Sequence, residues 1–569
     1  MNQRQNPRVQ SGAECLGDPS GRIAFRLRIG VTGHRKLSQV PEIAARVQTE
    51  LTRLVELTAA DGSTIIELAV ISQLAEGADR LVVDEVLSAA ADRGRQARLE
   101  AVLPMHRDSY ASAQGFTAAS QREFDALMEE ASLVIEPRRT VDGDGGDTAL
   151  VYETAGRSLI TRCDVLIAIW DGQPTGGRWG TAETLLAAAS EGKPCVWIPT
   201  NPKESIQDNL MPGTSEGFRQ LVGTRSAVPS DCARPPQVLP KDVLKPLRES
   251  LAPLQHFNRA RLPAEFGGRL IDEFGFPGGE EDWIAPVFLR ADVLAAKNQV
   301  RFAWSARAVS LLAITAAVML GVHLSLSSSP LWDWAEVTSL AAVTIVFLVL
   351  RQREFHRRWM SYRFLAERLR SARFLIPAGV DLQWAMSMVA VYIERHSSDW
   401  ILRAFDEFWQ SERQRRRTKS RALDGDIMKR RLTDDWIGKQ IAYHLRRSRD
   451  HRRWHRILLV TIMALFAGTI VCAVLDASAI ARNVTGCLSV VFPTAAASLG
   501  ALLTVRQHRE LAERYSRMSS DLAVAQQAAK DAENRRTLAK VGAQAARIMA
   551  EENDDWLGAL WFLDVEHPG

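Results

Sequence analysis

Beyond residue 300 the chain carries four apolar stretches, at 307–326, 332–350, 457–475 and 485–505, each fenced by arginines. A helix needs roughly 20 apolar residues to cross a bilayer core, and these stretches are of that length. Helices in the core of a water-soluble domain rarely run so far without a charge in mid-segment. The sequence therefore predicts an all-α transmembrane module with four membrane helices. The second stretch departs most from the pattern, because Asp333 and Glu336 stand at its start beside Trp332 and Trp334, residues suited to the membrane interface. Pro493 is expected to kink the fourth. Arg301 and Arg307 precede the first stretch; Arg351, Arg353, Arg357 and Arg358 follow the second; Arg446, Arg447, Arg449, Arg452, Arg453 and Arg456 precede the third; Arg506 and Arg509 follow the fourth. The short connections near 327–331 and 476–484 carry only Arg482. Positive residues stay on the cytoplasmic side, so both termini are expected in the cytoplasm and both connections outside.

Charge and cysteine content narrow the classes further. The net charge of +4 reflects a local basic excess beside the apolar stretches. Such an excess reads as a topology signal and as contacts to lipid headgroups, with no nucleic-acid partner expected. The six cysteines, Cys15, Cys163, Cys195, Cys232, Cys472 and Cys487, form no CxxC pair and no metal-ligand spacing with histidine. They read as buried thiols of a reducing compartment, and no metal site is expected. The opening residues MNQRQNPRVQSG contain no apolar run, so residues 1–20 read as a disordered lead-in without a cleavable signal.

Residues 21–200 alternate short apolar runs with helix-length periodic segments. Strands are expected at 25–31, 64–71, 98–103, 133–135, 164–169 and 194–198, and helices at 40–59, 77–93, around Phe124–Met128, and at 152–162 and 181–191. Strict alternation predicts an α/β Rossmann-like domain, a parallel sheet covered on both faces. Ligands of such sheets bind beyond the C-terminal strand ends. Three glycine turns fall there. The first holds Gly30, Thr32, Gly33, His34 and Arg35; the second holds Ser72, Glu76, Gly77, Asp79 and Arg80; the third holds Gly176, Gly177, Arg178, Gly180, Thr181 and Glu183. Helix N-termini with free N–H groups attract anions, and arginine grips phosphate through its fork. Together the three turns predict one phosphate-binding pocket, with Thr181 as a helix cap.

The motifs S-x-L-A-x-G-A-D at 72–79, G-G-x-x-G-T-x-E at 176–183 and G-x-T-G-H-R at 30–35 resemble the SLOG superfamily, which joins Smf/DprA-type proteins and the LOG nucleotide phosphoribohydrolases. The resemblance covers residues 24–200 and implies a modified Rossmann domain that binds nucleotides or nucleotide-derived signals. The LOG pattern P-G-G-x-G-T-x-x-E is altered here. The glycine spacing is one residue longer, Thr184 stands three places after Thr181, and Glu183 comes one place early. One residue on a helix is a turn of about 100°. The displaced carboxylate argues for binding without turnover, so no catalytic residue and no cofactor beyond the nucleotide ligand is assigned.

Residues 201–287 are rich in proline and read as an irregular connector, with helical periodicity only around Val243–Phe257. His106 and His256 read as ordinary histidines. The rest divides into two units, 288–430 and 431–569. After the second stretch, Phe355, Trp359, Tyr362, Ala366 and Leu369 recur at steps of four and three. After the fourth, Leu511, Tyr515, Met518, Leu522 and Ala525 do the same, 156 positions on. Asp399-Trp400 pairs with Asp555-Trp556 at the same offset, Asp282-Trp283-Ile284 matches Asp435-Trp436-Ile437, and Trp304 matches Trp454. The stripes suit either intramolecular packing or a seam between subunits. This architecture is similar to the SLATT domain, a two-span module found beside SLOG and nucleotidyltransferase domains in bacterial conflict systems. Two copies in tandem over 280–569 imply a membrane effector of antiphage defence.

The functional expectation is a nucleotide-gated effector in the bacterial inner membrane that forms homo-oligomers and permeabilises the bilayer. The signal would come from a synthesising partner enzyme. One alternative is a membrane-tethered nucleotide N-glycosidase using Glu183 with Arg178 or Asp79. The other is a nucleotide-regulated channel or transporter, against which the stretches offer only His323 and small hydroxyls at their cores.

Overall fold

The computed structural model describes residues 20–58, 62–95, 97–137, 148–172, 179–200, 210–211, 244–262, 284–325, 329–378, 400–401, 403–404, 425–478, 480–506 and 508–564. They belong to two compact units, one within residues 22–260 and one spanning 261–405 and 416–569 with residues 19–21.

The first unit is the expected α/β domain. Its strands are β1 (Phe25–Gly33), β2 (Ile66–Ser72), β3 (Arg98–Val102), β4 (Leu133–Ile135), β5 (Val165–Trp170), β6 (Cys195–Pro199) and β7 (Leu210–Met211), in the order β4-β3-β2-β1-β5-β6-β7. All pairings are parallel except β6 with β7. The antiparallel β7 falls in the segment read as connector, where two residues are too few to show a period. The helices are α1 (Val40–Thr58), α2 (Ala78–Ala91), α3 (Arg107–Gln114), α4 (Ala118–Glu130), α5 (Thr148–Arg162), α6 (Thr181–Ser190) and α7 (Lys245–Arg259). Of these, α3 has no counterpart in the sequence reading, because only Tyr110 of its eight residues is buried and no apolar period forms.

Every residue of β2, β5 and β6 is buried, as a parallel sheet covered on both faces requires. On one face α1 packs on α2. On the other, Leu159 and Ile160 of α5 and Leu185 and Ala188 of α6 close a core over Ile71, Leu166 and Ala168. Trp170 and Trp197 fill it with ring centroids 5.4 Å apart, and the Trp197 indole donates to the Trp170 carbonyl at 3.0 Å. Tied into this unit, α7 presents the Asn258 amide to the backbone of Ile23 and donates to the Thr64 hydroxyl.

The second unit is helical: α8 (Ala285–Ser325), α9 (Pro330–Arg353), α10 (Phe355–Ala378), α11 (Gly425–Ala477, π-helical over Arg431–Gly438), α12 (Arg482–Arg506), α13 (His508–Lys530) and α14 (Arg535–Asp564). Helices long and apolar enough to cross a membrane number three among the described residues, not four: Ala285–His323, Gly425–Ala477 and Arg482–Lys530. The second expected span is helical as α9. However, the side chains of Phe347 and of residues 350–353 lie outside the described set, and Glu336 interrupts its start, so the described apolar run stays short of a crossing. In the three that qualify, at most 18% of the apolar window is buried within the chain. Val460, Met463 and Ile470 are among the side chains left open. Water would oppose such a surface; lipid would not.

Glu354, in the left-handed region at φ 46°, separates α9 from α10. Both stripes lie on helices: Trp359, Tyr362, Ala366 and Leu369 of α10, and Tyr515, Met518, Leu522 and Ala525 of α13, are buried. The stripes are spent inside the chain: α10 packs on α8, and α13 on α11. Asp282, Trp283 and Asp399 lie outside the described residues, as do the side chains of Asp555 and Trp556.

Candidate functional site

Strand order reverses between β1 and β5. Chain leaving β1 crosses one way to β2, while β5 lies on its other side, so the crevice of a doubly wound sheet opens between their C-terminal ends. The first glycine turn stands at this point. A Cβ on Gly33 would lie 2.5 Å from the Ala78 Cβ and 2.6 Å from the Ile169 carbonyl oxygen, so only glycine lets β1 end between β5 and α2. The second turn locks onto the first. Gly77 has φ +81°, and a Cβ there would meet the carbonyls of Arg35 at 2.2 Å and His34 at 2.6 Å. The His34 amide donates to Ile169, and the Ala78 amide donates to His34, both at 3.0 Å. Gly30 packs instead under α5, against Cys163.

His34 reaches across the crevice. Its Nε2 lies 3.0 Å from Asp171 Oδ1 and 3.2 Å from the Asp171 amide nitrogen. Arg35 is exposed beside this pair.

Asp79 and Arg80 serve the turn itself. The Asp79 carboxylate accepts from the Ser72 hydroxyl at 3.0 Å and the Gln73 amide at 3.1 Å, and Ser72 Oγ accepts from the Leu74 amide. Burial pushes the Asp79 carboxyl up to about 6, with the bonds from Ser72, Ala75 and Gln73 opposing the shift. Arg80 is turned toward α4, donating to the Leu74 and Ser120 carbonyls, to Ser120 Oγ and to Glu123 at 2.6 Å. Its guanidinium lies 4.7 Å over the Phe116 ring. Thr32 and Glu76 are half-buried nearby.

Of the third turn, Gly176, Gly177 and Arg178 lie outside the described residues. The rest corrects one expectation. Gly180, not Thr181, is the N-cap of α6; Thr181 is the buried first helical residue, and the cap bond runs from the Gly180 amide to Glu183 Oε2 at 2.8 Å. A glutamate at the third helical position is well placed for this. Both helix N-termini that the sequence singled out therefore carry a carboxylate of the chain, Asp79 on α2 and Glu183 on α6.

Sequence reasoning missed several residues here. Asp171 is one. Tyr110 is another: fully buried, its hydroxyl finds no partner among the described residues. Burial, then Asp79 and Tyr152, push that phenol well above its ordinary range, with Arg35 and Arg80 opposing. Tyr152 accepts from Gln114 Nε2 at 2.8 Å. Arg80 Nη2 and Trp179 Nε1 are also buried without an acceptor among the described residues. All three unmatched atoms can donate. Leaving a buried donor unpaired costs about 1–3 kcal/mol, so this edge of the sheet is chemically prepared for acceptors. No cluster of three or more metal-ligating side chains occurs among the described residues.

A Rossmann-type α/β unit and a helical unit with three apolar, outward-facing helices define a membrane protein with an appended α/β domain. Residues 433–556 match the family model described as SMODS and SLOG-associating 2TM effector domain 1, the SLATT domain. The match covers most of α11, all of α12 and α13, and most of α14. No curated protein matches the chain.

Proposed function

We propose that this chain is a nucleotide-responsive membrane effector of a bacterial conflict system. Its α/β domain binds a nucleotide-derived signal at the crevice between β1 and β5, and its helical part acts on the inner membrane when the signal binds. The observation that carries this reading is the match of residues 433–556 to an effector domain whose own description couples it to SLOG partners. The arginines that flank this hairpin, Arg446 to Arg456 before it and Arg506 and Arg509 after it, support a cytoplasmic position for both its ends. That would put the α/β domain where nucleotide signals made by a partner enzyme are found. The exposed Arg35 is the cation this reading offers to phosphate, and the buried donors of Tyr110, Arg80 and Trp179 are offered to acceptors of the same ligand. Glu183 is engaged as a cap, which favours binding without hydrolysis.

Calorimetry with the nucleotide that co-purifies, identified by native mass spectrometry, tests the site. A charged hydrogen bond is worth about 1.5–3 kcal/mol, so Arg35→Ala is expected to weaken binding roughly 10- to 100-fold. Unchanged affinity would remove Arg35 from the site. Steady release of free base that disappears in Glu183→Gln would make the protein an N-glycosidase instead.

A further inference from the structure

The long helix α11 has two unlike faces, and the outer one changes character along its length. The inner face is spent on α13: the Ser448 hydroxyl donates to the Ala512 carbonyl at 2.8 Å, and the His451 and His508 rings meet through their Nδ1 atoms at 2.8 Å. The outer face runs through Arg446, Arg449, Arg453, Arg456, Val460 and Met463, at steps of three and four that keep them in one line on a helix. All are exposed, Val460 by 67% and Met463 by 63%. None of these arginines pairs with a carboxylate among the described residues, whereas Arg357 pairs with Glu354 and Arg509 with Glu513. Trp454 stands beside the line, 53% exposed.

One kind of occupant fits a line that is first cationic and then apolar. Water suits the arginines and opposes Val460 and Met463. A soluble acidic partner meets the charges and leaves the apolar half bare. An anionic phospholipid offers phosphate to one half and acyl chain to the other. We infer that the outer face of α11 binds anionic phospholipid of the inner leaflet, with the headgroup phosphate on Arg453 and Arg456 and an acyl chain along Val460 and Met463. The helical rise of about 1.5 Å per residue decides which arginines touch. The apolar stretch begins at residue 457, so Arg453 and Arg456 fall within about 6 Å of it, inside a headgroup layer roughly 5–8 Å deep. Arg446 and Arg449 stand about 12–17 Å from it and act through a field screened over about 8 Å. Trp454 lies at the depth where indole rings settle. Topology needs only a cationic flank, whereas this face selects its lipid by headgroup charge. The surface requires that α11 cross the bilayer and is independent of nucleotide binding.

Lipid selectivity of the full-length protein tests the surface. The protein is reconstituted into phosphatidylcholine vesicles with a trace of chain-nitroxide phosphatidylglycerol or, separately, chain-nitroxide phosphatidylcholine. Electron paramagnetic resonance then reads the motionally restricted fraction of each. The association constant for phosphatidylglycerol is expected to exceed that for phosphatidylcholine about two- to fivefold, an average over the lipid boundary in which each touching arginine contributes about fivefold. Arg453→Gln combined with Arg456→Gln is expected to bring the ratio close to one. Arg357→Gln combined with Arg509→Gln removes the same charge from arginines already paired and is expected to leave the ratio unchanged. Equal restriction of both lipids by the unmodified protein would mean that these arginines set topology or meet a soluble acidic partner. A ratio that survives the first pair of substitutions, or falls as far with the second, would place the selectivity in another face or in the diffuse field. Any of these results overturns the inference.

Discussion

Asp79 and Glu183 change what the two glycine-rich helix starts can do. Asp79 accepts from Ser72 and Gln73 in the turn before α2, and Glu183 accepts from the Gly180 amide before α6, so each carboxylate is spent on fixing a turn of the site. For Asp79 this has a pH signature. Its carboxyl is raised from the ordinary 3.8 to about 6, so its contribution to stability is fully present below about pH 4 and is lost as pH rises through about 6. Thermal unfolding of the purified protein should show that slope between these values, and Asp79→Asn, which cannot titrate, should flatten it. An unchanged slope in the variant would assign the shift elsewhere. Gly77 is more rigidly specified. At φ +81°, with backbone carbonyls 2.2 and 2.6 Å from any Cβ, Gly77→Val is expected to lower stability by about 3 kcal/mol or more. Glu183→Ala, by contrast, should cost only about 1 kcal/mol, the usual worth of a cap. Comparing the two melting curves tests both.

At the scale of elements, the π-helical stretch Arg431–Gly438 buries Trp436, whose ring stacks on Phe374 at 5.4 Å with planes 9° apart. The contact joins α10 of the first repeat to α11 of the second. Trp436→Ala is expected to cost about 3–5 kcal/mol, as removal of a buried aromatic does, and to release α10 to proteolysis before the α/β domain is cut. The strands of the α/β domain were legible because each is a short apolar run bounded by turn residues, and their ends moved by no more than two residues. What was not legible had weak periodicity or depended on distant partners. The two residues of β7 and the single buried face of α3 produce no pattern. Tyr110 and Asp171 matter only because sheet order brings them beside Asp79 and His34, and no local spacing encodes that. The two stripes were visible because steps of four and three put the buried residues of α10 and of α13 on one face of each helix. Counting α9 as a span went beyond what its described residues support.

For the whole molecule, the proposed function requires a nucleotide sensor and a membrane actuator within one chain. Moving such a switch from about 1% to about 99% active requires about 5.5 kcal/mol of differential ligand affinity between the two states. Several copies sharing one array reach that more readily than one chain. Single helices with apolar faces offer no polar lining, so conduction would need helices from more than one copy. The most direct measurement is dye release from vesicles that hold the purified full-length protein, titrated with its verified nucleotide. The account predicts little release without nucleotide, a steep rise over a narrow range of concentration, and a shift of that range roughly 10- to 100-fold upward in Arg35→Ala, following the lost phosphate contact. Tight nucleotide binding with no release at any concentration would contradict it, leaving a tethered binding protein.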